Sequence, residues 1–192
     1  MKDWTGNAQA VHAVNQRSAD AQPDDYYATD PKAVELLLQN ETFEGPIWEP
    51  ACGEGHISKV LDAHGYELFS SDLVYRGYGT PYFDFLSPGN YAEWEGDVIT
   101  NPPYKYAKDF VEKALNLVRP GAKVAMFLKL TFLEGQGRRE LFRDNPPASV
   151  YVSSARLECG KNGVFTGSSA VAYCWVVWRK GHTGPTYLKW IN

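Results

Sequence analysis

The chain has 192 residues, of which 44% are apolar, 22% charged and 14% aromatic, a balance that excludes disordered, collagenous and fibrous classes and suits one domain with a buried core. The net charge of −4 argues against an unassisted polyanion binder, yet residues 1–100 carry 5 Lys and Arg against 17 Asp and Glu, while residues 101–192 carry 14 against 6. The longest apolar stretch, Ala170 to Trp178, is far short of the ~20 residues of a membrane helix, and Met1-Lys2-Asp3-Trp4 opens neither a signal nor a transit peptide, so a cytoplasmic protein without a membrane partner is expected.

Residues 1–25 show no sustained apolar period and close on Pro23-Asp24-Asp25, which predicts a flexible arm ahead of a domain spanning 26–192. Asp30-Pro31 is an N-cap followed by proline at the first helical position, and predicts a helix to about Asn40. Pro46 to Glu49 predicts a short strand, Pro50 to Gly55 a glycine turn, and Ile57, Val60 and Leu61 a helix that Gly65 ends. Tyr66 to Ser71 is expected as the next strand, parallel to the first through a right-handed crossover. Gly96 to Thr100 then runs into Asn101-Pro102-Pro103-Tyr104, where two prolines stop the strand. Phe110, Val111, Ala114, Leu115 and Val118 share a helical face, and Lys123 to Leu128 predicts a buried central strand. A basic helix over Gly137 to Asp144 and two strands, Ser149 to Val152 and Ala170 to Arg179, paired as a hairpin, complete an α/β domain.

In an open α/β sheet ligands bind beyond the carboxyl ends of the strands, so the turns after Glu49, Asp72 and Thr100 should share one crevice. Gly53 and Gly55 allow close backbone approach at a helix N-terminus, although an ordinary strand-to-helix turn also favours glycine. Ser58 replaces the third glycine of a dinucleotide fingerprint, and Glu49 and Glu54 flank the turn, a setting that repels a pyrophosphate. S-adenosylmethionine, with a sulfonium, an ammonium and a ribose, fits an acidic setting better. Asp72, 19 positions after Gly53, is placed to accept from ribose hydroxyls or to cap a turn.

Asn101-Pro102-Pro103-Tyr104 carries the sharpest chemical signal. The Asn101 side-chain oxygen and the Pro102 carbonyl can each accept one proton of a planar NH2 group, favouring a pyramidal nitrogen whose lone pair is free for methyl transfer. Tyr104 offers a π face for a flat ring, and no metal is needed. The other reading of the tetrapeptide is a proline turn that ends a strand. His56 is expected as a surface or capping residue, and Cys52, Cys159 and Cys174 as reduced, packed thiols. Trp175 and Trp178 are expected in the core. Lys105, Lys108, Lys129, Arg138, Arg139, Arg143, Arg156 and Lys161 could form a basic rim beside an acidic pocket, or a solvated surface.

With Glu49 to Gly55 as its first motif and Asn101 to Tyr104 as its fourth, the chain resembles the DNA adenine-N6 amino-methyltransferases, in the gamma motif order. The resemblance implies a Rossmann-like class I methyltransferase fold, a seven-stranded, mostly parallel sheet with a C-terminal antiparallel hairpin, and S-adenosylmethionine as cofactor. It implies catalytic roles for Asn101, Pro102 and Tyr104, and cofactor contacts from Tyr27, Thr29, Glu49, Ala51, Gly53, Gly55, Asp72, Asp84, Phe85 and Asn101. Nucleic acid, DNA first, is then the expected partner, met by Lys105, Lys108, Arg138, Arg139 and Lys161, with a flipped-out adenine if the substrate is duplex. Gamma enzymes usually carry a target-recognition domain after the catalytic one; its lack here implies low specificity, readout by an insert such as Glu158 to Ser169, or a specificity-conferring protein partner. The same tetrapeptide serves enzymes that methylate an RNA base amine or a protein glutamine, and a non-catalytic binding protein is the remaining alternative.

Overall fold

The computed structural model describes residues 26–88, 92–167 and 169–192; the expected arm over residues 1–25 lies outside the described residues. Tyr27–Thr29 forms β1, and Asp30 then accepts from the Lys32 N–H at 2.9 Å to cap α1, Pro31–Leu38, with proline in its first turn as the sequence predicts. β2, Ile47–Glu49, passes through the glycine turn into α2, His56–Ala63, and β3, Leu68–Ser70, follows. β4, Asp97–Thr100, runs into the two prolines and a 3-10 turn, Tyr104–Tyr106, before α3, Ala107–Leu117. β5, Lys123–Lys129, is followed by two further 3-10 turns and α4, Arg139–Asp144. β6, Ser149–Ser153, β7, Cys159–Lys161, β8, Tyr173–Arg179, and β9, Tyr187–Ile191, complete the chain.

The strands order as β3-β2-β4-β5-β8-β6-β9, with β8 antiparallel to both neighbours and every other adjacent pair parallel. The expected antiparallel pair is therefore β6 with β8. Its connection is long rather than a tight turn, and from it β7 leaves to pair with β1 in a separate two-stranded sheet.

Strand alternation divides the core in two. Val124, Met126 and Leu128 of β5, with Cys174, Val176 and Trp178 of β8, pack against Phe110, Val111 and Leu115 of α3. Ala125 and Phe127, with Trp175 and Val177, pack against Val34 and Leu37 of α1 and Ile57 and Leu61 of α2. Trp175 and Trp178 are core residues, as expected, and their indole N–H groups donate to the Ala33 and Asn145 carbonyls. The two charge halves interleave in part: Lys123 pairs with Glu41 at 2.5 Å and Arg119 with Glu44 at 3.6 Å. The carboxyl ends of β2, β3, β4 and β5 all open on one edge of the sheet, which sets the site.

Three strands differ from the sequence expectation. β1 and β7 have three residues each and carry no alternating pattern; they exist because Tyr27 to Thr29 pairs with Cys159 to Lys161 far along the chain. β9 adds a parallel edge strand beyond β6, from a segment with no predicted element. The basic helix starts at Arg139, since Gly135 and Gly137 allow only a 3-10 turn over Gln136–Arg138 before it.

Candidate active site

The turns after β2, β3 and β4 meet around a cavity of about 390 Å³, within the ~300–1,000 Å³ usual for small-molecule sites. Pro50 and Ala51 line it from the first turn, Asp72 to Val74 and Arg76 from the second, and Asn101 to Tyr104 from the third. Phe83, Asp84, Phe85 and Leu86 close one side, and Tyr26 and Tyr27 another.

Asp72 ties two walls together. Its Oδ2 accepts from the Gly53 N–H at 2.8 Å and its Oδ1 from the Val74 N–H at 2.9 Å. Each oxygen keeps a second lone pair for a hydroxyl donor. Phe85 is buried against Trp48 and Phe110, with ring centroids 5.2 and 5.0 Å away, so the apolar wall is fixed by the core.

Asn101 is the most unusual group. Its Nδ2 donates to the Tyr27 carbonyl at 3.0 Å and reaches the Cys159 Sγ at 3.7 Å, while its Oδ1 is buried without a hydrogen-bond partner among the described residues. A buried, unpaired amide oxygen costs roughly 1–3 kcal/mol, a cost that an incoming donor would remove. Pro102 is buried beside it. Tyr104 donates its hydroxyl to Cys159 Sγ at 3.1 Å, and burial holds that hydroxyl protonated well above its ordinary range. Its ring lies among Tyr27 at 5.6 Å, Tyr173 at 5.9 Å and the Lys129 ammonium at 4.5 Å, and the residue lines both the main cavity and a smaller one of about 220 Å³ lined also by Lys129, Thr131, Phe132 and Arg138.

Several residues sit elsewhere than the sequence suggests. Glu49 is buried facing α2, where its Oε2 accepts from the Ser58 N–H at 2.9 Å and from the Ser58 hydroxyl. Burial raises its carboxyl to about 8, so near neutral pH it is largely protonated and adds little charge to the pocket. Thr29 is buried in β1 opposite Cys159. Gly53 and Gly55 have positive φ, and their free faces are filled by the rings of Tyr26 and Tyr78; they shape the floor behind the cavity. His56 begins α2 and meets the Tyr26 hydroxyl through Nδ1 at 2.9 Å. All three cysteines are free thiols, and no cluster among the described residues is arranged to hold a metal ion.

The basic rim is thinner than the sequence implies. Arg138 donates from Nε to the Phe132 carbonyl at 2.6 Å and from Nη2 to the Thr131 and Glu134 carbonyls, so it braces its own loop. Lys108 pairs with Glu112 and Arg143 with Asp144. Lys105, Arg139, Arg156 and Lys161 are exposed, and Lys129 lies over the Tyr104 ring. Tyr26, Arg76, Tyr173 and the contact role of Cys159 have no recognisable sequence signal. No described helix is long and apolar enough to cross a membrane.

No protein-family model matches the sequence, and no curated protein does. Among solved structures, the chain is similar to a candidate class I S-adenosylmethionine-dependent methyltransferase from Listeria monocytogenes, with 11% identity and a TM-score of 0.58 over 95% of this chain and 71% of that one. It is similar to a modification subunit of a candidate type I restriction enzyme from Vibrio vulnificus, with 14% identity and a TM-score of 0.57 over 94% of this chain and 50% of that one. It is also similar to a predicted O-methyltransferase from Agrobacterium tumefaciens, with 13% identity and a TM-score of 0.57 over 84% of each chain. The fold is that of the class I methyltransferases, an α/β fold with a mostly parallel central sheet.

Proposed function

We propose that this chain is an S-adenosylmethionine-dependent methyltransferase acting on the exocyclic N6 amine of adenine in DNA. The observation that carries the reading is Asn101, a residue of the cavity wall whose side-chain N–H groups are held by Tyr27 and Cys159 and whose oxygen is buried without a partner among the described residues. The donor set fits the cofactor: Asp72 keeps acceptor capacity for ribose hydroxyls, Phe83, Phe85 and Leu86 supply an apolar wall for adenine beside Asp84, and Pro50 and Ala51 leave room at the turn. When bound there, the cofactor supplies a methyl group made electrophilic by its sulfonium.

The chain's own residues supply the other half of the chemistry. Asn101 Oδ1 and the Pro102 carbonyl each accept one proton of the target NH2 group, which weakens conjugation of the nitrogen lone pair with its ring. Two prolines fix both acceptors, so little reorganisation is needed at the moment of transfer. Tyr104, braced by Cys159 and Tyr173, presents the aromatic surface against which a flat base is oriented. Lys105, Arg139, Lys161 and Lys129 support a polyanionic substrate over a free amide or small amine.

Asn101→Ala tests the reading. Methyl transfer should fall by about 10²–10³-fold, the scale for losing one preorganised polar contact to a transition state, while cofactor affinity stays within threefold. Turnover equal to wild type would sink the assignment of Asn101.

A further inference from the structure

We infer that Cys159 is a positioning residue for the amine-accepting group: its sulfur, reached from β7, fixes the orientation of both Asn101 and Tyr104. The inference rests on the proposed methyl transfer and adds a residue to it that lies outside both sequence motifs.

Cys159 Sγ is approached by the Tyr104 hydroxyl at 3.1 Å and by Asn101 Nδ2 at 3.7 Å, and the Tyr173 hydroxyl is its further hydrogen-bonding neighbour. A carboxamide has two N–H donors, and Asn101 directs these toward the Tyr27 carbonyl and this sulfur. Turning the amide over would set its oxygen against the Tyr27 carbonyl, give up the N–H contact to the sulfur, and put a donor where the oxygen now offers the acceptor that a target amine needs. The observed orientation is therefore the productive one, and Cys159 helps to enforce it while taking the Tyr104 hydroxyl from the same side. Burial keeps the thiol neutral, so the sulfur acts as a soft, weak acceptor rather than a nucleophile.

The placement explains why β7 pairs with β1. Register sets Cys159 opposite Thr29, two residues from Tyr27, so one two-stranded sheet carries both groups that hold Asn101. The positioning device thus comes from two segments far apart in the chain and meets the tetrapeptide only in the folded state.

The test compares Cys159→Ala and Cys159→Ser with wild type, measuring kcat for methyl transfer, the Kd of S-adenosylmethionine by calorimetry, and the 15N side-chain amide signal of Asn101, identified by its loss in Asn101→Ala. The alanine variant should lose about tenfold in kcat, the worth of one modest orienting hydrogen bond, with cofactor Kd within threefold and a shifted or broadened Asn101 amide signal. Serine, which restores an acceptor, should recover most of the rate and the signal. An unchanged Asn101 signal in the alanine variant overturns the inference, as does a serine variant no better than alanine. Should wild type transfer no methyl group to any acceptor, the proposed function fails, yet the amide signal still decides whether Cys159 orients Asn101.

Discussion

Replacing Glu49 by glutamine should remove the loss of stability with rising pH that the buried carboxyl of Glu49 imposes. The side chain is 2% exposed, and burial raises its carboxyl to about 8 from 4.5, against the opposing effect of the Ser58 hydrogen bonds. Below the unfolded value both states hold the proton and stability is full. As pH rises from about 4.5 to about 8 only the unfolded chain releases it, so each unit lowers stability by about 1.4 kcal/mol, or roughly 4 kcal/mol between pH 5 and pH 8. At about 2–4 °C per kcal/mol for a chain of this size, wild type should lose on the order of 10 °C in Tm across that interval through Glu49 alone. Glutamine keeps an oxygen for both Ser58 donors and carries no proton to lose, so it mimics the protonated acid. The assay is calorimetric Tm against pH for both proteins, taking the difference, which cancels the other groups, among them Asp97, also raised by burial. A difference constant within about 2 °C over that range would refute the reasoning.

Asp72→Asn should raise the Kd of S-adenosylmethionine at least about tenfold, because one of the two acceptor oxygens becomes a donor facing either the Gly53 or the Val74 N–H; calorimetry showing an unchanged Kd would remove Asp72 from the cofactor site. Gly96→Ala should be destabilised by more than about 3 kcal/mol, since a Cβ there would overlap the Pro46 carbonyl where β2 and β4 approach, and denaturant unfolding checks it; a loss below about 1 kcal/mol would contradict that packing.

The parts of the fold legible in the sequence were those with local causes. Asp30-Pro31 caps a helix whatever lies around it, the unbroken apolar run from Val124 to Leu128 marks a strand with two buried faces, and two prolines after Thr100 end a strand on purely covalent grounds. The convergence of the three turns followed from parallel topology, and Asp72, Ala51, Asp84, Phe85, Asn101 and Tyr104 do line one cavity. What depended on distant partners was not legible. Three-residue strands such as β1 and β7 have no pattern of their own, so Cys159 could be read only as a packed thiol. Glu49 looked like part of an acidic mouth because a sequence does not tell which side of a strand end a side chain takes; the Ser58 donors draw it under α2. Its charge alone counts Arg138 toward nucleic acid, and a sequence does not show that the side chain also donates to the carbonyls of its own loop.

The central claim is that a methyl group passes from S-adenosylmethionine to an adenine amine through Asn101. Its most direct test is incubation of wild type and Asn101→Ala with methyl-labelled S-adenosylmethionine and, separately, duplex DNA, single-stranded DNA, RNA and cell protein, followed by digestion to nucleosides or amino acids. Wild type should place label in N6-methyladenine from DNA, and the variant should lose about 10²–10³-fold of it. Label in RNA or glutamine alone, or equal labelling by the variant, would contradict it.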